Sequence, residues 1–200
     1  MMVRMFDYES GSIVASLKMH DFESMRGQRP KDLCFLSEDY LLVDFTTITV
    51  QNKCFKSFTF KGNSTGHLGL FKLSFSAHDI VNGKRGPANS HEFTIVDTFE
   101  LGISALDGIT CDDWDALVVD QAGDKAYIFH IDVTAEKPIQ YVGEENGYRM
   151  PHGAGYHKKL GMLAMSSYGE NSITVRELSP KRRDPKSHIL EPPGEAGPHS

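Results

Sequence analysis

Cysteine is scarce in this sequence: Cys34, Cys54 and Cys111 are odd in number and have no C-x-x-C spacing. That pattern argues against a disulfide framework or a zinc site and predicts reduced thiols in an intracellular compartment, cytoplasmic or nuclear. No apolar run approaches the ~20 residues needed to cross a bilayer, so no membrane partner is expected. The first residues carry Arg4, Asp7, Glu9 and Lys18 instead of an apolar stretch, which predicts no secretory leader. An excess of basic charge is missing too. The net charge of −6 argues against a nucleic-acid groove. Sustained helical periodicity is also absent, which leaves strands as the building material. The remaining composition, 40% hydrophobic and 24% charged, is that of an ordinary globular chain.

Short alternating apolar segments fill the chain between turn residues. Val3 to Tyr8 and Ser12 to Met19 read as a hairpin around Glu9-Ser10-Gly11, followed by a polar connection over 20–30. Leu33 to Leu36, Tyr40 to Phe45, Ile48 to Val50, Phe55 to Phe60 and Leu68 to Phe75 follow as strands. Residues 77–92 hold Asn82-Gly83 and Gly86-Pro87 and read as a long solvated loop. Phe93 to Leu101 resumes a strand. From Ser179 the chain is rich in proline and poor in apolar residues, which predicts a disordered basic tail over 179–200 after a folded domain over 1–178.

Two stretches repeat one another. Leu106-Asp107-Gly108-Ile109 leads to Ala116-Leu117-Val118-Val119-Asp120, a Gly123 turn and Tyr127-Ile128-Phe129. Pro151-His152-Gly153-Ala154 leads to Met162-Leu163-Ala164-Met165, a Gly169 turn and Ile173-Thr174-Val175. The glycines recur after 45 and 46 residues. Units of that length built from short strands predict β-propeller blades, so the expected fold is all-β. In this alignment Ile173 and Val175 share a column with Tyr127 and Phe129, and with Ile48/Val50 and Val3/Met5 further back. Asp32 to Asp44 resembles Asp107 to Asp120 at an offset of 75 residues, which predicts a blade with the long loop between them. The count is then three to four four-stranded antiparallel blades, in a closed ring or an open fragment.

Val3-Arg4-Met5-Phe6-Asp7-Tyr8-Glu9-Ser10-Gly11 resembles the closing strand and turn of a WD40-type repeat, with Phe6-Asp7 where that family has Trp-Asp. The unit from Pro151 to Leu178 is similar to blades of YncE- or lactonase-type propellers, which carry a His-Gly pair at the position of His152-Gly153. Phe35-Leu36-Ser37 leading into Tyr40-Leu41-Leu42-Val43 is also similar to WD40-like regions that follow an F-box in fungal proteins. The WD40 resemblance implies a scaffold for protein partners. The F-box resemblance implies substrate recruitment to a ubiquitin ligase, and the lactonase resemblance implies a metal held in the channel.

Several side chains are candidates for chemistry. Asp107, Asp120, His152 and Glu170, with His157 near them, would hold a metal if they converged on one point. The alternative is that Asp107 and His152 are equivalent turn residues opening their units. Gly62-Asn63-Ser64-Thr65-Gly66 matches G-x-S-x-G, but a nucleophile elbow must open a helix and Leu68 to Leu73 reads as a strand. Trp114, the only tryptophan, lies among Asp112, Asp113 and Asp115; with Tyr148 and Arg149 it is a candidate partner-binding residue. Each of these also has a plain structural role as a packing residue. Ser179-Pro180-Lys181-Arg182-Arg183 resembles a phosphorylation site beside a short basic cluster.

No catalytic constellation with its required spacing emerges, so the expected function is a non-catalytic protein-interaction module without a cofactor. A metal-dependent lactonase or hydrolase propeller is the alternative. A truncated propeller with no function of its own, prone to self-association through an open edge strand, is a third.

Overall fold

The computed structural model describes residues 2–6, 13–18, 28–47, 65–74 and 93–178, the first two segments as backbone only. All regular elements there are strands apart from one 3-10 turn at Tyr168–Glu170. β1 (Met2–Phe6) and β2 (Ile13–Lys18) form a two-stranded ribbon. Sheet I contains β3 (Arg29–Phe35), β4 (Tyr40–Thr47), β5 (Thr65–Leu73) and β6 (Phe93–Ile103). Sheet II contains β7 (Leu106–Asp112), β8 (Asp115–Asp120), β9 (Lys125–Ile131) and β10 (Ile139–Asn146). Sheet III contains β11 (Pro151–His157), β12 (Met162–Ser167) and β13 (Ser172–Glu177). Each sheet is an antiparallel meander in chain order.

The first strands β3, β7 and β11 lie side by side, whereas the outer strands β6 and β10 barely touch. The sheets therefore fan out from their first strands as blades do. Sheet II is covered on both faces. On the sheet I side, Val118, Tyr127, Phe129 and Tyr141 pack with Leu42, Leu68, Leu70 and Leu106. On the other side, Leu117, Val119, Ala126 and Ile128 pack with Tyr156, Leu163, Met165 and Leu178 of sheet III. Two-sided burial explains why Ala116-Leu117-Val118-Val119 is a continuous apolar run and does not alternate.

Three features of the sequence reading change. β3 and β7, which carry Asp32 and Asp107, are neighbouring first strands. No blade lies between them, and sheet I itself absorbs the 75-residue offset in its connections. β3 also starts earlier than Leu33, because Pro30 pairs with Phe45 just before a bulge, a place where a strand tolerates proline.

The third change concerns register. Lys125 opposes Asp120 in sheet II and Ser172 opposes Ser167 in sheet III, an offset of 47 residues. The left-handed turn residues Asp124 and Asn171 keep the same offset. The inner hairpin turn is two residues longer in sheet III, which moves the offset from 45 in the first strands to 47 beyond it. Thr174 and Arg176 therefore occupy the column of Tyr127 and Phe129. A slip of one residue turns every side chain to the other face, so Ile173 and Val175 point away from sheet II and are 76% and 59% exposed.

The anticipated strands at 48–50 and 55–60, the loop at 77–92 and the tail at 179–200 lie outside the described residues. A two-sided core predicts that Phe129→Ala costs roughly 3–5 kcal/mol. Val175→Ala, in the same kind of strand but on the open face, should stay within about 0.5 kcal/mol. Urea unfolding of the two variants measures the difference.

Candidate functional site at the two ends of the inner strands

Each first strand contains a bulge near its start: between Pro30 and Leu33, between Leu106 and Gly108, and between Pro151 and Gly153. A bulge leaves its extra residue out of the ladder and re-aims the side chain. The re-aimed residues form a row. Lys31 Nζ lies 3.5 Å from Asp107 Oδ1, and Asp107 Oδ2 lies 3.2 Å from His152 Nε2. Asp107 and His152 are thus equivalent, as their alignment implied, and they also touch. The strands run very close here: a side chain at Gly108 would place its Cβ 2.6 Å from the His152 carbonyl oxygen, so only glycine fits.

The other two metal candidates have different surroundings. Asp120 is fully buried at the end of β8. Its Oδ1 accepts from the Ala105 and Gly123 N–H groups, and its Oδ2 accepts from the Tyr127 hydroxyl. That makes it a turn-capping side chain, and burial beside this carboxylate pushes the Tyr127 hydroxyl pKa upward. Glu170 stands in the exposed 3-10 turn between β12 and β13. Among the described residues no three His, Cys, Asp or Glu side chains gather as a metal site. The G-x-S-x-G segment leads into strand β5 through Thr65 and Gly66, as expected for a hairpin and not for an elbow.

Behind the row lies a carboxyl group that sequence reading passed over. Asp44 on β4 is fully buried. Its Oδ1 accepts the Asp32 N–H at 2.5 Å, and its Oδ2 has no hydrogen-bond partner among the described residues. Asp32 in turn ties the two sheets, its Oδ2 accepting the Ile109 N–H at 3.2 Å. Burial pushes the Asp44 carboxyl up to about 7, and the carboxylates of Asp32 and Asp107 add to the shift against the Asp32 N–H and Lys31.

Tyr148 and Arg149 occupy this same end, in the link between sheets II and III. Tyr148 is 4% exposed and lies beneath the Arg176 guanidinium, 4.7 Å from its ring centre. Arg176 also donates to the Asn146 and Gly147 carbonyls, which fixes the link. Of the two candidates, Arg149 is the one presented to solvent.

The opposite end is formed by the three inner hairpin turns. Trp114 is half-buried, with its ring edge-on to Tyr40 at 5.6 Å, so it bridges sheets I and II. At the same end of the strands Phe35 is 49% exposed, and Leu160 in the sheet III turn is 59% exposed. Ion pairs brace the sheet II and sheet III turns. Lys158 Nζ lies 2.8 Å from Asp115 Oδ2, and His130 Nδ1 lies 2.7 Å from Asp115 Oδ1. Asp112 Oδ2 accepts the Lys158 N–H at 2.6 Å and lies 3.4 Å from His157 Nδ1. His157 is therefore a brace at this end, away from the Asp107–His152 row. Phe35, Tyr40 and Leu160 were missed as site residues, although Phe35 and Tyr40 flank, and Leu160 lies within, a turn that follows a first strand.

The raised Asp44 carboxyl carries a signed prediction. A carboxyl whose pKa is higher in the folded state stabilises fully below its unfolded value near 3.8 and loses that contribution as pH rises through about 7. Asp44→Asn should remove this pH-dependent component, leaving the variant more stable than the parent above pH 7 by about 2–4 kcal/mol. Melting curves from pH 4 to pH 9 (roughly spanning the shift) measure the effect.

No family model matches the chain, and no curated protein matches it in sequence. Among solved structures it is similar to hydrazine synthase of Kuenenia stuttgartiensis, with 12% identity and a TM-score of 0.57 over 89% of this chain and 52% of that one. The β-propeller domain of Cps50 (Swd1) from Myceliophteria thermophila aligns at 9% identity and a TM-score of 0.42, over 84% of this chain and 60% of that one. The chain thus spans a little over half the length of each. The first likeness concerns fold alone, and the second is too loose to carry an argument. What the sheets establish, in agreement with the first likeness, is an all-β fold of propeller-like blades around three neighbouring inner strands.

Proposed function

We propose that this chain is a non-catalytic protein-interaction module that docks a protein partner on the hairpin end of its inner strands. The observation that carries this reading is the exposure of apolar side chains at the three hairpin turns: half-buried Trp114 on Tyr40, with exposed Phe35 in sheet I and exposed Leu160 in sheet III. Tryptophan is enriched at interface hot spots, and exposed apolar residues at one end of a fold mark a docking face. In this reading Arg149 at the other end is peripheral. The module needs no cofactor and works on proteins and not on nucleic acid or membrane. Substrate recruitment, as the F-box resemblance implies, is one form of this activity, in the cytoplasm or nucleus.

The enzyme alternative retains one favourable observation, the meeting of Asp107 and His152 at 3.2 Å. Against it, Asp120 is taken up by turn capping. A second kind of association belongs to the module reading. β13 has only β12 as a sheet neighbour among the described residues, and its Ile173 and Val175 are exposed, so two copies would pair at this edge.

Phe35→Ser and Leu160→Ser, both at exposed positions, should each weaken capture of a reproducible partner from native extract by about tenfold or more. Arg149→Ala should leave capture unchanged, and the reverse pattern would move the docking face to the other end. Light scattering should show mass rising with concentration, and Val175→Lys should abolish the rise; a parent monomer at all concentrations counts against edge pairing.

A further inference from the structure

The expectation of free thiols fails for two of the three cysteines. Cys34 on β3 and Cys111 on β7 are joined as a disulfide, with Cα atoms 5.8 Å apart and a sequence separation of 77. That Cα separation is the common one for a disulfide. The two lie in the same column of neighbouring strands, because the Asp32–Ile109 bond has the same offset of 77. Cys54 lies outside the described residues.

We infer that Cys34 and Cys111 form a reversible thiol–disulfide site that locks the innermost strands of sheets I and II. Three observations support reversibility. Both side chains are only partly buried, at the margin of the core between the sheets, so a small thiol or disulfide reaches them. The strands are also aligned without the bond, by the Lys31–Asp107 pair, the Asp32–Ile109 bond and the surrounding apolar contacts. Reduction therefore leaves the two thiols facing one another, ready to close again. Finally, the bond lies three residues before Trp114, whose contact with Tyr40 spans the same two sheets. Opening it loosens the hairpin end.

The oxidant is a low-molecular-weight disulfide. One protein thiolate attacks it, forming a mixed disulfide and releasing one small thiolate. The second protein thiolate then attacks the protein sulfur of that mixed disulfide and releases the other. Two electrons pass from the protein to the small disulfide, and the two protons of the protein thiols end on the released thiols. A dithiol reverses the sequence. The lock does not depend on the docking reading, because its test reads the bond directly.

The full-length chain is incubated with oxidised glutathione or with dithiothreitol, alkylated and mapped by peptide mass. Oxidised protein should leave only Cys54 open to alkylation, and reduced protein should leave all three cysteines open. Reduction should lower the melting temperature by about 5–15 °C and shift the emission of Trp114, and oxidised glutathione should restore both. Cys34→Ser and Cys111→Ser should each remove the response while retaining the fold by circular dichroism. Three alkylated cysteines after oxidation would overturn the proposal, as would a bond to Cys54. So would a Cys34–Cys111 bond whose reduction changes neither melting nor emission. Should a serine variant fail to fold, the parent's response to the two reagents decides alone.

Discussion

Everything else in this fold depends on the burial of sheet II on both faces. Val118 and Phe129 face sheet I, Leu117 and Ile128 face sheet III, and all four are fully buried. A sheet buried in this way has no solvent side on which to place polar residues, so its second strand is apolar from Ala116 to Val119, between the two aspartates at its ends. The first strands then come together because both neighbouring sheets must cover the same central one. Only after that do the bulge residues meet as a row and the hairpin turns gather at the other end. The polar ties between sheets are small beside this. The Lys31–Asp107 pair is partly solvated and worth little by itself, but it selects one register out of those that apolar packing would allow.

The architecture was legible because blades are local. Each strand pairs with the one before it, so a short apolar segment, a turn and another apolar segment already describe the contact. The unit from Leu106 to Phe129 was read strand for strand, and its turn at Gly123 is where the chain reverses. Finer detail was lost where length changed inside a unit. The outer-turn glycines recur after 46 residues but the strands around them after 47, and that single step reverses which residues of β13 an alignment on the glycines turns to the core. Ile173 and Val175 look like core residues in the sequence and are surface residues in the structure.

The candidate site was legible in part for the same reason. Asp107 and His152 open matching units, and they do come together. Asp120 beside its hairpin turn was readable as a residue bonding to the turn backbone, and it does so. Glu170, Tyr148 and Arg149 were singled out by residue type, and type says nothing about whether a tyrosine is lying under an arginine. The cysteine pair was hidden by arithmetic. At an offset of 75, Cys34 falls opposite Ile109; at the true strand offset of 77 it falls opposite Cys111. Asp44 stood in the sequence only as the counterpart of Asp120, and its burial behind the row depends on the neighbouring strands, which that match does not give.

The sequential pairing within each sheet has a consequence for how such a chain changes over generations. A sheet whose strands bond only to their chain neighbours is gained or lost by a single in-frame duplication or deletion, with no other strand rethreaded. The open face of sheet III, with Ile173 and Val175 uncovered, is the surface such an addition would find waiting. The number of blades is in that sense a heritable variable, and the three first strands are the fixed frame on which it varies.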